Sequence, residues 1–335
     1  MVTVVIPTAA RPALLREALA SVWAQTARAR IAQVLVSENA GGTESEKVCA
    51  EFGGLPIKYV RRDPPLDRLA HARAIFCTEA GPAKHTAVLH DDDWWAPDHL
   101  ARALAWLDEH PWATAWTCAA FMVVGSTPEM NCDDNLLPWF GAGFPPFDGT
   151  WELDLTAVML ANLAETTVRY STLVARTAAL VRAAGVVFGM EHPFDNDRLL
   201  AFELARQGPV GYRPLPTAFI RVHPAQHVNE FDREAMRQHR RSSTGYLVGE
   251  CTRLGLDLRA VLTARLAQCP AETKDKFLGR FRRPEWAEAL TAHQLQPAGL
   301  DLPPVVPEGK IKAGLKQLLP PIALKVGQHL RQSRR

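Results

Sequence analysis

The feature that most restricts the fold of this chain is an alternation of strand-like and helix-like segments up to residue 109. Residues 2–6 are all β-branched, which is typical of a strand buried on both faces of a parallel sheet, and we expect Pro7 to end this strand. Residues 12–25 carry apolar side chains at helical spacing, with Pro12 in the first turn. The same order returns in residues 33–38, 43–52, 57–60, 66–79, 86–89 and 97–109. Such alternation predicts an α/β fold with a doubly wound, mostly parallel sheet flanked by helices.

The composition excludes several classes of protein. The 38 basic and 36 acidic residues leave a net charge of +2, which is too balanced for a wholly basic surface, so no nucleic-acid partner is expected. The six cysteines are scattered without a CxxC pair, and we interpret them as reduced thiols of a cytoplasmic protein. No apolar run approaches the roughly 20 residues that span a bilayer. The first residues lead directly into a strand-like run without the features of a signal peptide, so we expect neither secretion nor a membrane-spanning helix.

The pattern changes after residue 124. Residues 125–151 are rich in Pro, Gly, Asp and aromatic residues, and a loop of this length predicts a binding-site lining or partial disorder. Strand-like and helix-like segments return between residues 171 and 222, and the chain is then helix-like to about residue 300. Residues 310–335 mix basic and apolar residues. Such a tail can attach peripherally to anionic lipid, although a plain solvated end is the simpler interpretation.

The sharpest local motif is His-Asp-Asp-Asp-Trp-Trp at residues 90–95, directly after the strand-like residues 86–89. The carboxyl edge of a parallel sheet is where α/β proteins bind ligands, and neighbouring carboxylates repel one another unless a cation lies between them. The motif therefore predicts a divalent cation, Mg²⁺ or Mn²⁺, held by one or two carboxylates and completed by phosphate oxygens. The alternative is a solvated acidic turn, with Asp93 as a cap of the helix that begins near Pro97.

Several motifs resemble one family in both order and spacing. They are Val4-Val5-Ile6-Pro7-Thr8 with Arg11, residues 37–43 (Ser-Glu-Asn-Ala-Gly-Gly-Thr), residues 69–73 (Leu-Ala-His-Ala-Arg) and the acidic motif. Together they resemble the nucleotide-sugar-binding half of the family-two glycosyltransferases, which have the GT-A fold. In the second half, residues 196–200 resemble the segment of that family that carries the catalytic base, and residues 221–223 resemble its Arg-x-His element.

The resemblance covers about two-thirds of the chain and implies its domain organisation. A GT-A glycosyltransferase domain is expected first, followed by a helical C-terminal extension with the basic tail. The implied bounds are residues 1–224 for the GT-A domain, with a nucleotide-sugar-binding half at 1–124 and an acceptor and catalytic half at 125–224, and residues 225–335 for the extension.

The resemblance also implies which residues bind the donor. Glu38 stands where the family uses a carboxylate to accept the N3 hydrogen of uracil, which thymine also carries, so the expected donor is a UDP- or dTDP-sugar. Arg73 stands where the family contacts the base or the phosphates. The full set of implied donor-binding residues is Pro7, Thr8, Arg11, Glu38, Arg73, Asp91 and Asp92. Polar strand ends, helix caps and solvated charges are the simpler alternatives for several of them.

The implied metal ligands are Asp92 and His223, with His227 as a second candidate for the histidine. His90 stands where many relatives have the first Asp of Asp-x-Asp, and a neutral imidazole can bind Mn²⁺ or contact phosphate. The metal expected by resemblance is Mn²⁺ or Mg²⁺.

Asp197 is implied as the catalytic base, because it aligns with the second acid of the family's Glu-Asp motif and begins a helix whose N-terminus stabilises negative charge. Asp195 is the nearby alternative. A simple helix cap is the structural interpretation of either carboxylate.

These roles imply an inverting, metal-dependent glycosyltransferase that moves a sugar from a UDP- or dTDP-sugar to a hydroxyl of a saccharide, a lipid-linked acceptor or a small molecule. Two other functions remain open. A nucleotidyltransferase uses a related sheet and metal but normally has a Gly-rich, basic loop after the first strand, which this sequence lacks. A non-catalytic nucleotide- or glycan-binding module is compatible with His90, Ala74 and Asn196 in place of the usual family residues. The expected location is the cytoplasm, with possible peripheral membrane contact through the basic tail.

Overall fold

The computed structural model of the chain describes residues 1–40, 42–124, 127–131, 149–164, 168–190, 196–222 and 233–268. Within these residues, ten strands form one sheet and nine helices flank it. The strands are β1 (Val2–Thr8), β2 (Ile31–Glu38), β3 (Ile57–Arg61), β4 (His85–Val88), β5 (Trp94–Trp95), β6 (Ala115–Val124), β7 (Thr127–Asn131), β8 (Trp151–Leu153), β9 (Val174–Arg176) and β10 (Val210–Val222). The helices are α1 (Pro12–Trp23), α2 (Glu44–Glu51), α3 (Arg68–Arg73), α4 (His99–Glu109), α5 (Leu155–Ala164), α6 (Thr177–Val187), α7 (Asn196–Ala205), α8 (Arg233–Arg253) and α9 (Leu258–Gln268).

The sheet is mixed, with a parallel half that the alternating sequence pattern predicts. Its main path runs β3-β2-β1-β4-β9-β6-β10-β5, and the pairs along β3-β2-β1-β4 are all parallel. Strand β9 is antiparallel to both β4 and β6, while β6 and β10 are parallel to each other. Strands β5 and β8 pair antiparallel with β10, and β7 pairs antiparallel with β6. The predicted doubly wound sheet with helices on both faces is therefore confirmed.

The β-branched run of β1 is buried because hydrophobic cores lie on both faces of the sheet. Val4 and Ile6 pack into the core beneath α1 and α4, whereas Val5 packs into the opposite core with α5, α6 and α7. All three side chains are fully buried. Burial of a valine or isoleucine side chain stabilises a fold by roughly 1.5–3 kcal/mol. A strand of alternating polar residues would not fit this central position.

Two predicted segment bounds are wrong for reasons that matter at the site. Strand β1 continues through Pro7 to Thr8, because β2 pairs with it as far as Thr8, whereas β4 pairs with it only as far as Val5. The main-chain groups of residues 5 and 7 both point toward the side of β4. Since β4 no longer pairs beyond Val5, the missing N–H of Pro7 breaks no ladder bond. The segment 171–176 is not one strand: a 3₁₀ turn at Tyr170–Thr172 precedes β9.

The first part of the predicted C-terminal extension packs onto the rest of the molecule. Leu247 of α8 and Leu262 of α9 are fully buried in the same core as Leu199 of α7. Tyr246 donates a hydrogen bond from its hydroxyl to Oε1 of Glu203 on α7, at 2.7 Å. The domain bounds remain a prediction, and residues 269–335, including the basic tail, lie outside the described residues. None of the helices in the described part of the chain is long and apolar enough to cross a bilayer.

Candidate active site

The acidic motif lies in a short turn that is fixed at both ends by the sheet. Leu89 continues β4 by donating its N–H to the carbonyl of Val5, and Trp94 and Trp95 then pair with β10 as the short strand β5. Residues 90–93 must reverse direction between these two strands, and the N–H of Asp93 bonds to the carbonyl of His90 at 3.2 Å. The three acidic side chains therefore project from one tight turn at the carboxyl edge of the parallel strands.

His90, Asp92 and Asp93 converge on one point. Each offers a ligand atom, and these atoms all lie within 4.8 Å of one another. Two carboxylates and an imidazole are a donor set that suits Mn²⁺ and is compatible with other divalent ions. We call these three residues the acidic cluster. Its donor chemistry fits the divalent metal that the sequence predicts at this edge.

Asp93 belongs to this cluster and does not cap α4, which corrects one of the sequence-based interpretations. Its Oδ2 accepts the hydroxyl of Ser171 at 2.5 Å, and its Oδ1 accepts the N–H of Arg221 at 2.9 Å. Helix α4 begins six residues further on, at His99. Burial raises the pKa of Asp93 to about 6, against the opposing effect of His90 and with a further rise caused by Asp92. A cation bound beside it would favour the charged carboxylate.

Asp91 turns toward the end of β1. Its Oδ2 accepts the hydroxyl of Thr8 at 2.7 Å, and Nη1 of Arg11 lies 3.4 Å from its Oδ1. The same Nη1 donates to Oδ2 of Asp92 at 2.9 Å. Burial raises the pKa of Asp91, and the Arg11 guanidinium and the Thr8 hydroxyl partly offset this rise. The structure thus brings together the predicted residues Thr8, Arg11, Asp91 and Asp92, with Pro7 directly beside Thr8.

Glu38, at the end of β2, is almost completely buried at 1% exposure. Its Oε1 accepts the N–H groups of Ala10 and Ala40 at 3.0 and 2.9 Å, and its Oε2 accepts the hydroxyl of Ser45 at 2.5 Å. Ala10 has a φ of +55°, a left-handed conformation that costs energy in a residue with a Cβ. The Glu38 carboxylate therefore connects the loop after β1 to the loop after β2. Recognition of a base by Glu38 stays a prediction.

The loop after β3 borders the same end of β2. Asn39 donates to the carbonyl of Leu66 and accepts its N–H, both at 2.9 Å. The buried His71 ring, on α3, lies 2.9 Å from the hydroxyl of Ser37. Arg73 lies on the last turn of α3 with its side chain exposed, so the structure does not bring it into the acidic cluster.

Asp197 lies in the first turn of α7, and its Oδ1 accepts the N–H of the following Arg198 at 3.0 Å. Its charge acts on the nearby Tyr170, where burial first and Asp197 second raise the pKa of the hydroxyl. The other predicted residues of this half, Asp195, His223 and His227, lie outside the described residues, as do all the aromatic residues between 139 and 147.

Arg221 connects the end of β10 to the acidic cluster. Besides the bond from its N–H to Asp93, its Nε donates to the carbonyl of Asp92 at 3.1 Å. Its guanidinium lies 4.9 Å from the centre of the Trp94 ring and contacts Glu17 at 2.6 Å. The Arg-x-His motif of the sequence analysis includes Arg221, but it predicted a role only for the histidine.

Sequence reasoning missed the 3₁₀ turn at Tyr170–Thr172. Ser171 accepts the N–H of His90 at 3.0 Å and donates to Asp93, so one hydroxyl fixes two members of the acidic cluster. Tyr170 places its ring 5.4 Å from that of His90. No sequence motif marks this turn, because its residues act on a segment about 80 positions earlier in the chain.

Comparison with known proteins agrees with this fold. A family model described as "Glycosyl transferase family 2" matches residues 3–131. Among solved structures, the chain is similar to residues 1–349 of TarS from S. aureus, with 14% identity, a TM-score of 0.51 and coverage of 87% of this chain and 79% of that chain. The same TarS fragment in complex with UDP-GlcNAc gives 15% identity and a TM-score of 0.52, over 88% and 81% of the two chains. No curated protein matches the sequence significantly.

A further similar structure is the mannosyltransferase PcManGT from Pyrobaculum calidifontis in complex with GDP-Man and Mn²⁺. It shares 16% identity at a TM-score of 0.51, over 95% of this chain and 79% of that chain. The chain therefore has the GT-A fold of these glycosyltransferase structures. Residues 3–131 are the part of the chain that is similar to glycosyl transferase family 2.

Proposed function

We propose that the protein is an inverting, metal-dependent glycosyltransferase that transfers a sugar from a UDP- or dTDP-sugar to a hydroxyl acceptor. The observation that carries this proposal is the convergence of His90, Asp92 and Asp93 within 4.8 Å, next to the Thr8–Asp91 contact at the carboxyl edge of the sheet. An edge that presents several carboxylates beside an arginine suits a ligand that is itself a complex of anion and cation. A nucleoside diphosphate with its divalent metal is such a ligand.

His90, Asp92 and Asp93 would hold Mn²⁺ or Mg²⁺, and His223 is proposed as a further ligand. When bound, the metal acts as a Lewis acid that neutralises charge on the departing diphosphate. Imidazole beside carboxylates favours Mn²⁺ over Mg²⁺, which prefers oxygen ligands. Ser171 supports this role because it fixes both Asp93 and the main chain of His90.

The donor side consists of residues at the ends of β1, β2 and β4. The Arg11 guanidinium, which is one-third exposed, is the group suited to contact phosphate oxygens. Thr8 and Asp91 border the ribose, and Pro7 forms the adjoining wall. Glu38 and Arg73 are proposed on the nucleoside side, where Glu38 holds the two loops that enclose the base.

Asp197 is the proposed base that removes the proton from the attacking hydroxyl. The positive end of the α7 dipole favours its ionised form, and its contact with the N–H of Arg198 holds one oxygen in place. Inversion follows if the acceptor attacks from the face of the sugar opposite the diphosphate, which requires a single carboxylate on the acceptor side.

We propose a saccharide or a lipid-linked saccharide as the acceptor. The basic residues between 310 and 335 are the proposed contact with an anionic membrane. Flotation of the full chain with vesicles that contain anionic lipid tests this contact. Binding should be sensitive to salt and absent after deletion of residues 310–335; equal flotation of both proteins would exclude it.

The donor test measures release of nucleoside diphosphate from UDP-, dTDP- and GDP-sugars, each with Mn²⁺, with Mg²⁺ and with EDTA. The proposal predicts turnover of a uridine or thymidine donor that is highest with Mn²⁺ and absent with EDTA. Thermal stabilisation by the same nucleotides provides a second measurement, because a ligand that binds only the native state raises its melting temperature. Turnover that is unchanged by EDTA, or a response to GDP-sugars alone, would contradict the proposal.

A further inference from the structure

Tyr170 is a residue of the candidate site to which neither the family motifs nor the sequence analysis gives a role. It begins the 3₁₀ turn that also carries Ser171. Its ring stacks on Phe76 with 5.6 Å between the ring centres and an angle of 11°, and Phe76 stacks in the same way on Phe188. The Tyr170 ring is thus held at the end of a stack of three aromatic rings, and its position is fixed by packing.

The hydroxyl of Tyr170 is buried and has no hydrogen-bond partner among the residues that the structure describes. Leaving a buried hydroxyl without a partner destabilises a fold, because the hydroxyl has lost its hydrogen bonds to water. Phenylalanine would have the same shape and would avoid this cost. Burial and the charge of Asp197 raise the pKa of the hydroxyl well above its ordinary value, so the group remains a proton donor at physiological pH.

The surroundings of Tyr170 indicate what its hydroxyl binds. Its ring lies 5.4 Å from the ring of His90, a member of the acidic cluster. The charge of Asp197 also acts on the Tyr170 hydroxyl and raises its pKa. Under the proposed function, the diphosphate lies at the cluster and the acceptor at Asp197. The transferred sugar must lie between the cluster and Asp197, and Tyr170 contacts a member of the cluster while the charge of Asp197 acts on its hydroxyl.

We propose that the Tyr170 hydroxyl donates a hydrogen bond to the sugar of the bound donor, an inference that rests on the proposed function. Binding of the sugar gives the buried hydroxyl its missing partner, and the rigid aromatic stack means that little side-chain entropy is lost. The contact distinguishes a nucleotide sugar from the bare nucleoside diphosphate, because only the nucleotide sugar has a sugar oxygen that can accept this hydrogen bond.

The test is the variant Tyr170→Phe, which removes the hydroxyl and keeps the ring. Affinities for UDP, UDP-glucose and UDP-N-acetylglucosamine are measured by calorimetry with Mn²⁺, together with kcat/KM for transfer or donor hydrolysis. We expect about a 10-fold or greater loss of affinity for the nucleotide sugar that the wild-type protein binds, and a similar loss of kcat/KM. The affinity for UDP and the melting temperature of the unliganded protein should not fall.

Tyr246→Phe is the matched control. It removes a tyrosine hydroxyl on α8 that already has a partner within the protein, the carboxylate of Glu203 on α7. This variant should lower the melting temperature and leave the ratio of UDP to UDP-sugar affinity unchanged. If Tyr170→Phe behaves like Tyr246→Phe, the hydroxyl has a structural partner and the inference is wrong. Equal affinity of wild-type and Tyr170→Phe proteins for the nucleotide sugar would also overturn it. Absence of any nucleotide binding by the wild-type protein would instead refute the proposed function, and the sugar contact with it.

Discussion

The ends of β2 and β4 lie at the same edge of one sheet, yet they use their carboxylates differently. Glu38, at the end of β2, has its two oxygens engaged by two main-chain N–H groups and a hydroxyl, and it is 1% exposed. After β4, Asp92 and Asp93 converge with His90 instead. A carboxylate whose neighbours are all donors stabilises loops, whereas Asp92 and Asp93, although each also accepts from donors, converge with each other and repel until a cation binds. Burial alone does not identify a binding group; the nature of its neighbours does.

The largest expected effect tests the β4 end. Asp92→Asn removes the charge of one cluster member while nearly preserving its shape. We expect a loss of about 1,000-fold in the Mn²⁺-dependent rate of nucleoside diphosphate release, which corresponds to about 4 kcal/mol of transition-state stabilisation. The melting temperature should change little, because loss of the ion pair with Arg11 is offset by relief of the repulsion between neighbouring carboxylates.

The matched control is Glu109→Gln, which makes the same carboxylate-to-amide change at an exposed position of α4. It should leave the rate unchanged. A rate for Asp92→Asn within a few-fold of the wild-type rate would show that the cluster does not hold the metal used in the reaction.

The next prediction tests the β2 end. Glu38→Ala leaves the buried N–H groups of Ala10 and Ala40 without their acceptor, and we expect a loss of about 2–4 kcal/mol in the free energy of unfolding, measured in urea. The left-handed Ala10 also loses the bond that holds it, so the adjacent Arg11 should no longer be fixed beside Asp92. Affinities for UDP and GDP should therefore fall by the same factor.

Glu44→Ala, at an exposed glutamate at the start of α2, is the control and should change neither stability nor affinity measurably. A selective loss of affinity for uridine and thymidine nucleotides, with unchanged stability, would contradict this prediction. It would indicate that Glu38 accepts the N3 hydrogen of the base, as the family resemblance implies.

A smaller effect is expected at the residue that supports the β4 end. Ser171→Ala removes the hydroxyl that bonds to Asp93 and to the N–H of His90. Loss of such a supporting contact typically weakens metal binding by about 10–100-fold, which a Mn²⁺ titration of the transfer rate measures. Thr252→Ala, which removes an exposed hydroxyl on α8, should give the wild-type titration curve. An unchanged Mn²⁺ dependence in Ser171→Ala would show that the turn does not organise the cluster.

The parts of this molecule that the sequence predicts are those that local patterns encode. The β-branched run of β1 and the acidic motif after β4 are contiguous, so their burial and position follow from neighbouring residues. The extension of β1 through Pro7 depends on its pairing with β2 and on where β4 stops pairing, and no local pattern contains either. The roles of Ser171 and Tyr170 likewise arise from tertiary contacts across about 80 residues. The position of Asp93 in the sequence suits a helix cap. Its place in the cluster depends on the contacts of its carboxylate with Ser171 and Arg221, which are distant in the sequence.

The smallest effect concerns pH and the His71 side chain beside Glu38. Burial lowers the pKa of His71 below its ordinary 6.5, and Arg62 lowers it further, while Glu79 and Glu38 act in the opposite direction. The folded protein thus binds a proton at this site less readily than the unfolded chain does. The associated stability is fully present above pH 6.5 and is lost as the pH falls below that value, by at most about 1.4 kcal/mol per pH unit.

His71→Gln removes this titrating group and retains a polar side chain that can reach Ser37. Free energies of unfolding at pH 7.5 and 5.5 should therefore differ less in the variant than in the wild-type protein. His85 and His99, whose pKa values burial lowers to about 4 and about 3, also destabilise the fold in acid, so only the difference between the two proteins reports on His71. If both proteins lose the same stability, His71 accepts a proton in the folded state as readily as in the unfolded chain. The end of β2 would then be more accessible to solvent than its burial indicates, and its contrast with the acidic cluster after β4 would weaken.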